Sequence, residues 1–421
     1  MTDRAEGFRA PRGTYDVLPP QSWDWHALVR LAFDIFAAGG YAPIETPAFE
    51  HTEVFERGVG AATEVVTKQM YTFEDRGGRS LTLRPEGTAP VIRSVLEHGL
   101  ERGPLPVKVS YASWMFRQER PQKGRYRQFF QLGIEAIGTD DPRADAEVIE
   151  IGMRYLMEAG VEPRLSLNSI GHFDQSCRIG YNRLLVEFLE RSVDRLAPED
   201  RERVKNNPLR TFDSKEPETI EVMREAPLIS DHICDACRKH FESVRGLLDD
   251  LDVGYSLEPR LVRGLDYYTR TAFEFVATGL GSQDAVGGGG RYDGLSESLG
   301  GPHLPGIGFA LGFDRILMAR PSSEKRTGAV DVYVVAIGEA AQPEALRLCT
   351  ELRREGIGAD LDLMGRSMKG QMKDADRSGA RWAAILGEEE LAAREAMLKD
   401  LVSGEQERVS LDQLARKVSE P

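Results

Sequence analysis

VKVSYASWMFRQERPQKGRYRQFFQLGIEAIG, Val107 to Gly138, holds two runs rich in aromatic and β-branched residues, VKVSYASWMFRQE and GRYRQFFQLGIEAIG, on either side of a polar stretch, ERPQKGR. Runs of that composition read as strands. Together they predict one long antiparallel hairpin. Between Lys108 and Arg127 stand six cations (Lys108, Arg117, Arg120, Lys123, Arg125 and Arg127) against one anion, Glu119. Arg117 closes the first strand, and a guanidinium's planar fork suits bidentate bonds to phosphate. On the returning strand Gln131 and Glu135 are four apart and share a face. The loop Arg120–Arg127 mixes cations with Tyr126, a combination that suits RNA backbone and bases; a solvated hairpin tip is the plainer alternative.

Upstream of the hairpin, residues 23–40 carry apolar residues at helical spacing and stop at a glycine pair. YAPIETPAFE reads as extended, because Pro43 and Pro47 cannot sit inside a helix. QMYTFED and RSLTLRPE read as strands around the turn Arg76–Arg79, and TAPVIRSVLEHGL as a helix. Downstream, DPRADAEVIEIGMRYLMEAG is an amphipathic helix and RLSLNSIG a strand. From 172 to 255 charged helical stretches dominate, which predicts a helical insertion. Strands resume at 257–277 and 283–287, the second running into Gly287–Gly290, and GIGFALGFDRILMA reads as a strand passing into a helix. PSSEKRTG, 321–328, is a linker by composition. Beyond it strands and helices alternate, the pattern of a small α/β domain with a largely parallel sheet. The expectation is an α+β chain divided as 1–171, 172–255, 256–320, 321–328 and 329–421.

With 421 residues, of which 41% are hydrophobic and 29% charged, the chain has the composition of a globular protein with a real core. No run approaches the roughly 18 apolar residues of a membrane span, and MTDRAEGFRAPRG lacks the apolar stretch of a secretory signal. Four cysteines are too few for a disulfide framework at this length. The expectation is a cytoplasmic protein without a membrane partner. A net charge of −14 argues against non-specific coating of nucleic acid, though it leaves room for the local basic patch of the hairpin.

Other clusters carry chemistry. Glu86 and Thr88 in RPEGTAP are two apart, so an extended segment points both to one side, where a carboxylate and a hydroxyl suit an ammonium group. A solvated turn is the alternative. LVRGLDYYTRTAFEF, Leu261 to Phe275, places Arg263, Asp266, Tyr267 and Tyr268 in a turn before a strand. AVGGGGRYDGL places glycines after a strand, where a ligand approaching the backbone and a tight packing contact explain them equally. His232, Cys234, Cys237 and His240 crowd four zinc-type ligands into nine residues without a second pair, unlike two-part structural zinc sites, so no metal is assigned. Arg366, Lys369, Lys373 and Arg377 recur at helical spacing, with Met368, Met372, Ala375 and Gly379 as the apolar side; a solvated face and a contact to RNA phosphate are both open.

The order of these segments resembles the bacterial histidyl-tRNA synthetase family, within class II of the aminoacyl-tRNA synthetases, from RGTYDVLPP to the last α/β domain. GYAPIETPAFE resembles class motif 1, WMFRQERPQKGRYRQF motif 2 and GIGFALGFDRI motif 3; LVRGLDYY and AVGGGGRYDGL resemble the two histidine-specific signatures, and NPLRTFDSK a segment of the insertion. The resemblance implies an antiparallel sheet flanked by helices, a helical insertion and a C-terminal anticodon-binding domain. It implies formation of histidyl-adenylate from ATP, with Mg²⁺ on the outer phosphates, followed by transfer to tRNA(His). Arg263 and Arg117 would be catalytic. Glu86, Thr88, Gln131, Glu135, Tyr267 and Tyr268 would bind L-histidine, and Arg117, Arg315, Glu119 and Arg125 ATP. Arg120 and Gln122 would meet the acceptor end, and motif 1 implies a homodimer. A regulatory paralogue that binds histidine without catalysis is the rival; such chains typically lose the LVRGLDYY-type motif. Two positions depart from the family: Asp314 precedes Arg315 where Glu is usual, and Phe130 stands where many relatives have histidine.

Overall fold

The computed structural model describes residues 8–61, 63–201, 204, 208–278, 280, 284–321 and 330–419. The expected linker, Pro321 apart, lies outside them, as do the first seven residues, Lys205–Asn207 of the expected insertion and Gln283 at the expected strand start. The chain divides into two compact units, Met1–Asp16 with Ala27–Ser322 and Val17–His26 with Ser323–Pro421. The insertion therefore shares a unit with the segments around it, and residues 17–26, expected with the N-terminal part, group with the C-terminal one.

The first unit is built on an eight-stranded sheet. Its strands are β1 (Ala42–Pro43), β5 (Val107–Phe116), β6 (Gln128–Ile137), β7 (Pro163–Ser169), β8 (Tyr255–Leu257), β9 (Thr269–Ala277), β10 (Ala285–Arg291) and β11 (Gly306–Gly312). The order across the sheet is β1-β5-β6-β11-β10-β9-β7-β8. The six central strands are antiparallel, with a parallel neighbour at each edge. β5 and β6 pair without a break from Val107↔Ile137 to Phe116↔Gln128, so the expected hairpin is present and its loop spans 117–127. A separate three-stranded sheet joins β2 (Phe49–His51), β4 (Ser80–Leu83) and β3 (Tyr71–Glu74). The helices Thr88–Glu97 and Pro142–Glu158 fall where the periodicity places them; Asp141 caps the second through an Oδ1 that accepts from Arg143 N at 2.9 Å.

The glycine run corrects a sequence expectation. All four glycines lie inside β10, not after it. Glycine lowers strand propensity and so hid the element, yet both faces of this central strand are too crowded for side chains. A Cβ on Gly289 would sit 2.0 Å from the Gly308 carbonyl oxygen, and one on Gly288 would sit 2.7 Å from Nη1 of Arg263.

The insertion contributes the helices Arg178–Arg191, Pro217–Met223 and Asp235–Asp250. Its core of Tyr181, Leu185, Leu189, Val222 and Ile229 is continuous with Val262, Tyr268 and Ala272, so it backs the LVRGLDYY loop. A wholly buried pair joins the helix Pro142–Glu158 to the sheet, Arg291 gripping Asp145 with Nε at 2.8 Å and Nη2 at 2.5 Å from Oδ2, and the insertion meets this pair through His240, which reaches Oδ1 at 3.2 Å. Burying such charges is tolerable only because every partner is present.

The second unit is an α/β sheet of order β13-β12-β14-β15-β16, from Ala359–Leu361, Val332–Ala336, Trp382–Leu386, Glu395–Asp400 and Gln406–Ser410. The first three strands are parallel, as expected, and the last two run antiparallel. The basic helix is Met368–Ser378, so Arg366 precedes it and pairs with Asp362 and Asp374, each at 2.8 Å. Met368 is exposed rather than part of the apolar side, while Met372 and Ala375 pack under the sheet. Lys369 and Lys373 remain exposed.

Candidate active site

A cleft of about 1230 Å³ opens over one face of the eight-stranded sheet. Alternate residues of a strand share a face. The register puts Gln131, Gly133 and Glu135 of β6 beside Gly312, Ala310 and Gly308 of β11, then Gly288 and Gly290 of β10, then Glu274 and Ala272 of β9. That face is a floor of glycine and alanine with a few polar side chains. The opposite face carries Leu132, Ile134, Phe309, Leu311, Phe273 and Phe275, all buried in the core.

The cleft brings together ten of the thirteen expected site residues: Glu86, Thr88, Arg117, Glu119, Arg125, Gln131, Arg263, Tyr267, Tyr268 and Arg315. Glu135 lies beneath it, fully buried. Arg120 and Gln122 are outside it, exposed on the hairpin loop, where Gln122 and Arg125 bridge through their backbones at 2.9 and 3.1 Å.

Glu86 and Thr88 reach the site differently from the extended geometry expected. The chain turns into a helix at Thr88, and the Glu86 carboxylate accepts the backbone N–H of Thr88 at 2.7 Å and of Ala89 at 2.9 Å. The segment is thus a helix start rather than a strand, and Glu86 satisfies its free N–H groups. Tyr267 also donates to Glu86, at 3.4 Å. Thr88 Oγ1 donates to Glu135 Oε1 at 2.8 Å, and the Tyr292 hydroxyl to Oε2 at 2.6 Å. Burial pushes Glu135 up to about 8 despite these bonds, and burial also raises Glu86. Two carboxyls held in so little water form a site prepared for a cationic or N–H-bearing ligand.

Three arginines, Arg117, Arg263 and Arg315, line the same cleft. Arg263 donates from Nη1 to Glu274 at 2.7 Å and lies 5.4 Å over the Tyr268 ring. Its Nε has no hydrogen-bond partner among the described residues. Burial opposes its charge, but Tyr268 and Glu274 outweigh it, and its pKa stands above the ordinary value. Arg117 donates from Nε to the Pro85 carbonyl at 2.9 Å and lies 5.2 Å from the centre of the Phe129 ring. Glu119 sits between Arg117 and Arg125, at 3.9 and 3.7 Å. Burial lowers Arg117 and Arg315, an arrangement that an anionic ligand would relieve. Arg315 is held by the Ala285 carbonyl at 2.5 Å.

The two departures from the family have structural outcomes. Asp314 accepts the Tyr15 hydroxyl, and Tyr15 packs on Tyr126 of the hairpin loop with ring centres 4.7 Å apart. The shorter acid therefore braces the loop. Phe130 packs edge-on against Trp114 and Phe313. Sequence reasoning missed Glu274, Tyr292 and Tyr15 as partners of site residues. It also missed that Arg210 and Lys215, within NPLRTFDSK, line the cleft, with Arg210 donating to the Gly264 carbonyl. Alternation along β9 could have flagged Glu274 as facing Arg263; the other pairings span too much sequence.

An antiparallel sheet with this hairpin, a motif 3 strand and helix, and a separate C-terminal α/β unit is the architecture of a class II aminoacyl-tRNA synthetase. The histidyl-tRNA synthetase family model matches residues 13–316 and the anticodon binding domain model residues 331–421. Among curated relatives, the histidine–tRNA ligase of Corynebacterium kroppenstedtii is 50% identical over 98% of this chain and 96% of its own. That of Halothermothrix orenii is 48% identical over 96% and 97%. The apo histidyl-tRNA synthetase structure from S. aureus superposes with a TM-score of 0.81 at 37% identity, covering 98% of this chain and 100% of that one. A structure titled ATP phosphoribosyltransferase regulatory subunit/histidyl-tRNA synthetase, from Bacillus halodurans, is 23% identical with a TM-score of 0.65, covers 88% of this chain and 97% of its own, and shares the fold alone.

The chain belongs to the histidyl-tRNA synthetase family. Its reaction is the ATP-dependent ligation of histidine to tRNA.

Proposed function

We propose that the cleft divides this reaction between its two ends. The carboxyl end binds L-histidine: Glu86 and Thr88 take the ammonium, while Gln131, Glu135, Tyr267 and Tyr268 satisfy the amine and imidazole. A site that spends its polar groups on an imidazole leaves them unpaired when an apolar amino acid enters, which makes discrimination large. The arginine end takes ATP, which brings Mg²⁺ on its outer phosphates. Arg117 and Arg263 bracket the α-phosphate as the histidine carboxylate attacks it, and Arg315, with Glu119 and Arg125, holds the nucleotide. Negative charge spreads over the phosphoryl oxygens in that transition state, so fixed cations act there most. The products are histidyl-adenylate and pyrophosphate. The terminal adenosine of tRNA(His) then attacks the adenylate and releases AMP, with Arg120 and Gln122 at the acceptor end.

The observation that carries this reading is one cleft that sets a buried carboxyl pair, Glu86 and Glu135 beneath it, beside three partly desolvated arginines, Arg117, Arg263 and Arg315. No helix among the described residues is long and apolar enough to cross a membrane, which suits a cytoplasmic enzyme. The motif 1 segment supports a homodimer. Histidine-dependent ATP–pyrophosphate exchange, run against a panel of other amino acids, tests the reading. Exchange with histidine alone is expected, and folded protein that binds histidine without exchange would move the assignment to the regulatory rival.

A further inference from the structure

Two residues early in the insertion supply the second ligand pair that the CxxC segment lacked. His172 and Cys177 meet Cys234 and Cys237, and the four candidate ligand atoms all lie within 4.8 Å of one another. Cys177 Sγ is 3.8 Å from Cys237 Sγ, while His172 Nδ1 is 3.0 Å from Cys237 Sγ and 3.7 Å from Cys234 Sγ. A tetrahedral zinc with Zn–S near 2.3 Å and Zn–N near 2.0 Å separates sulfur from sulfur by about 3.8 Å and nitrogen from sulfur by about 3.6 Å. The other candidates of the segment are engaged elsewhere: His232 packs on Tyr181 and His240 bonds Asp145. We propose that His172, Cys177, Cys234 and Cys237 form a structural zinc site.

The surroundings match what a zinc–thiolate site requires. His172 presents Nδ1 to the sulfurs, and its other nitrogen, Nε2, is 3.1 Å from Asp174 Oδ2, the carboxylate–histidine arrangement that fixes ring orientation at metal centres. The Cys234 N–H donates to Cys177 Sγ at 3.0 Å and the Cys237 N–H to Cys234 Sγ at 3.5 Å, so two sulfurs have donors placed to stabilise thiolate. Cys177 and Cys234 immediately precede the helices Arg178–Arg191 and Asp235–Asp250, whose positive ends therefore meet at the cluster. Cys177 and Cys237 are buried, and all four positions are filled by protein, as in a closed structural site rather than a catalytic one. Thiolate and imidazole in tetrahedral array favour zinc over magnesium or calcium.

The site has a mechanical role. It joins the chain just beyond β7 to the start of the helix 57 residues after Cys177. Arg178, next to Cys177, donates from Nη1 to the Tyr268 carbonyl at 2.7 Å. The metal thus steadies the insertion and, through Arg178, the backbone of the tyrosine loop.

Metal analysis of the full chain, purified with reductant and without chelator, is expected to find about one zinc per chain. Cobalt added to stripped protein should give the intense visible spectrum of tetrahedral cobalt–thiolate. H172A and C234S should lose the metal, H172C should keep it as a four-thiolate site, and C349A, in the other unit, should leave it unchanged. Because the stoichiometry of the unsubstituted protein is itself decisive, a variant that fails to fold leaves the test intact. Metal-free protein with four freely titrating thiols, a Cys177–Cys237 disulfide, or iron in place of zinc would overturn the assignment.

Discussion

Arg263→Lys keeps the charge and removes the fork, and the surroundings of Arg263 set the cost. Nη1 is already held by Glu274 at 2.7 Å, so the arginine serves the cleft with the rest of its guanidinium. A lysine has one nitrogen, and the Glu274 carboxylate would capture it. Losing one preorganised donor to a developing oxyanion costs about 3–4 kcal/mol, or roughly 10²–10³ in kcat. Adenylation should slow by about that factor while histidine affinity, measured by calorimetry, changes little. The structure makes a second demand. If Glu274 is what holds the lysine back, R263K/E274Q should be faster than R263K by about ten- to a hundredfold, one hydrogen bond to a charged group being worth about 1.5–3 kcal/mol. ATP–pyrophosphate exchange at saturating histidine reads both. A single variant within about threefold of the parent, or a double variant no faster than the single, would refute the reasoning.

Three other outcomes are expected from the same geometry. Native Glu135 keeps its proton up to about pH 8, whereas the unfolded chain releases it near the ordinary value of 4.5. The native state binds more protons between those values, so this group's stability is full below the lower pH and is lost as pH rises through the upper. The fall in melting temperature from pH 6 to pH 9 should be smaller in E135Q than in the parent, and an equal fall would contradict the assigned environment. Gly308→Ala would put a Cβ 1.8 Å from Glu135 Oε2 and 2.4 Å from the Ile134 carbonyl, so thermal unfolding should report a loss of about 1–3 kcal/mol or more; an unchanged midpoint would mean that the floor is not closely packed. Arg120→Ala should weaken aminoacylation of tRNA(His) and spare pyrophosphate exchange, since Arg120 is exposed outside the cleft; loss of both would argue against an acceptor-end role.

The hairpin was legible because its two strands carry strong, local propensity, and its pairing runs from Val107↔Ile137 to Phe116↔Gln128. β10 was not fully legible, because glycine says little about strand content when tertiary crowding is what demands it. The site residues were recognisable by type and order, yet their partners were not. Glu135 is held by Tyr292 and Asp314 by Tyr15, pairings across more than a hundred residues that one sequence does not display. The cysteine cluster shows the same limit, since His172 and Cys177 look unremarkable until folding sets them beside Cys234 and Cys237.

A floor of glycine and alanine constrains how the pocket can change. Gly288 and Gly312, which line the cleft, have no side chain left to trim, so substitution there can only make the pocket shallower. A larger or differently shaped amino acid would have to be accommodated at the walls, by Tyr267, Tyr268 and the turn before the Thr88 helix. Selection or design for a new substrate therefore has few useful moves on the sheet and most of its freedom in the loops, which lets the scaffold stay fixed while its choice of amino acid drifts.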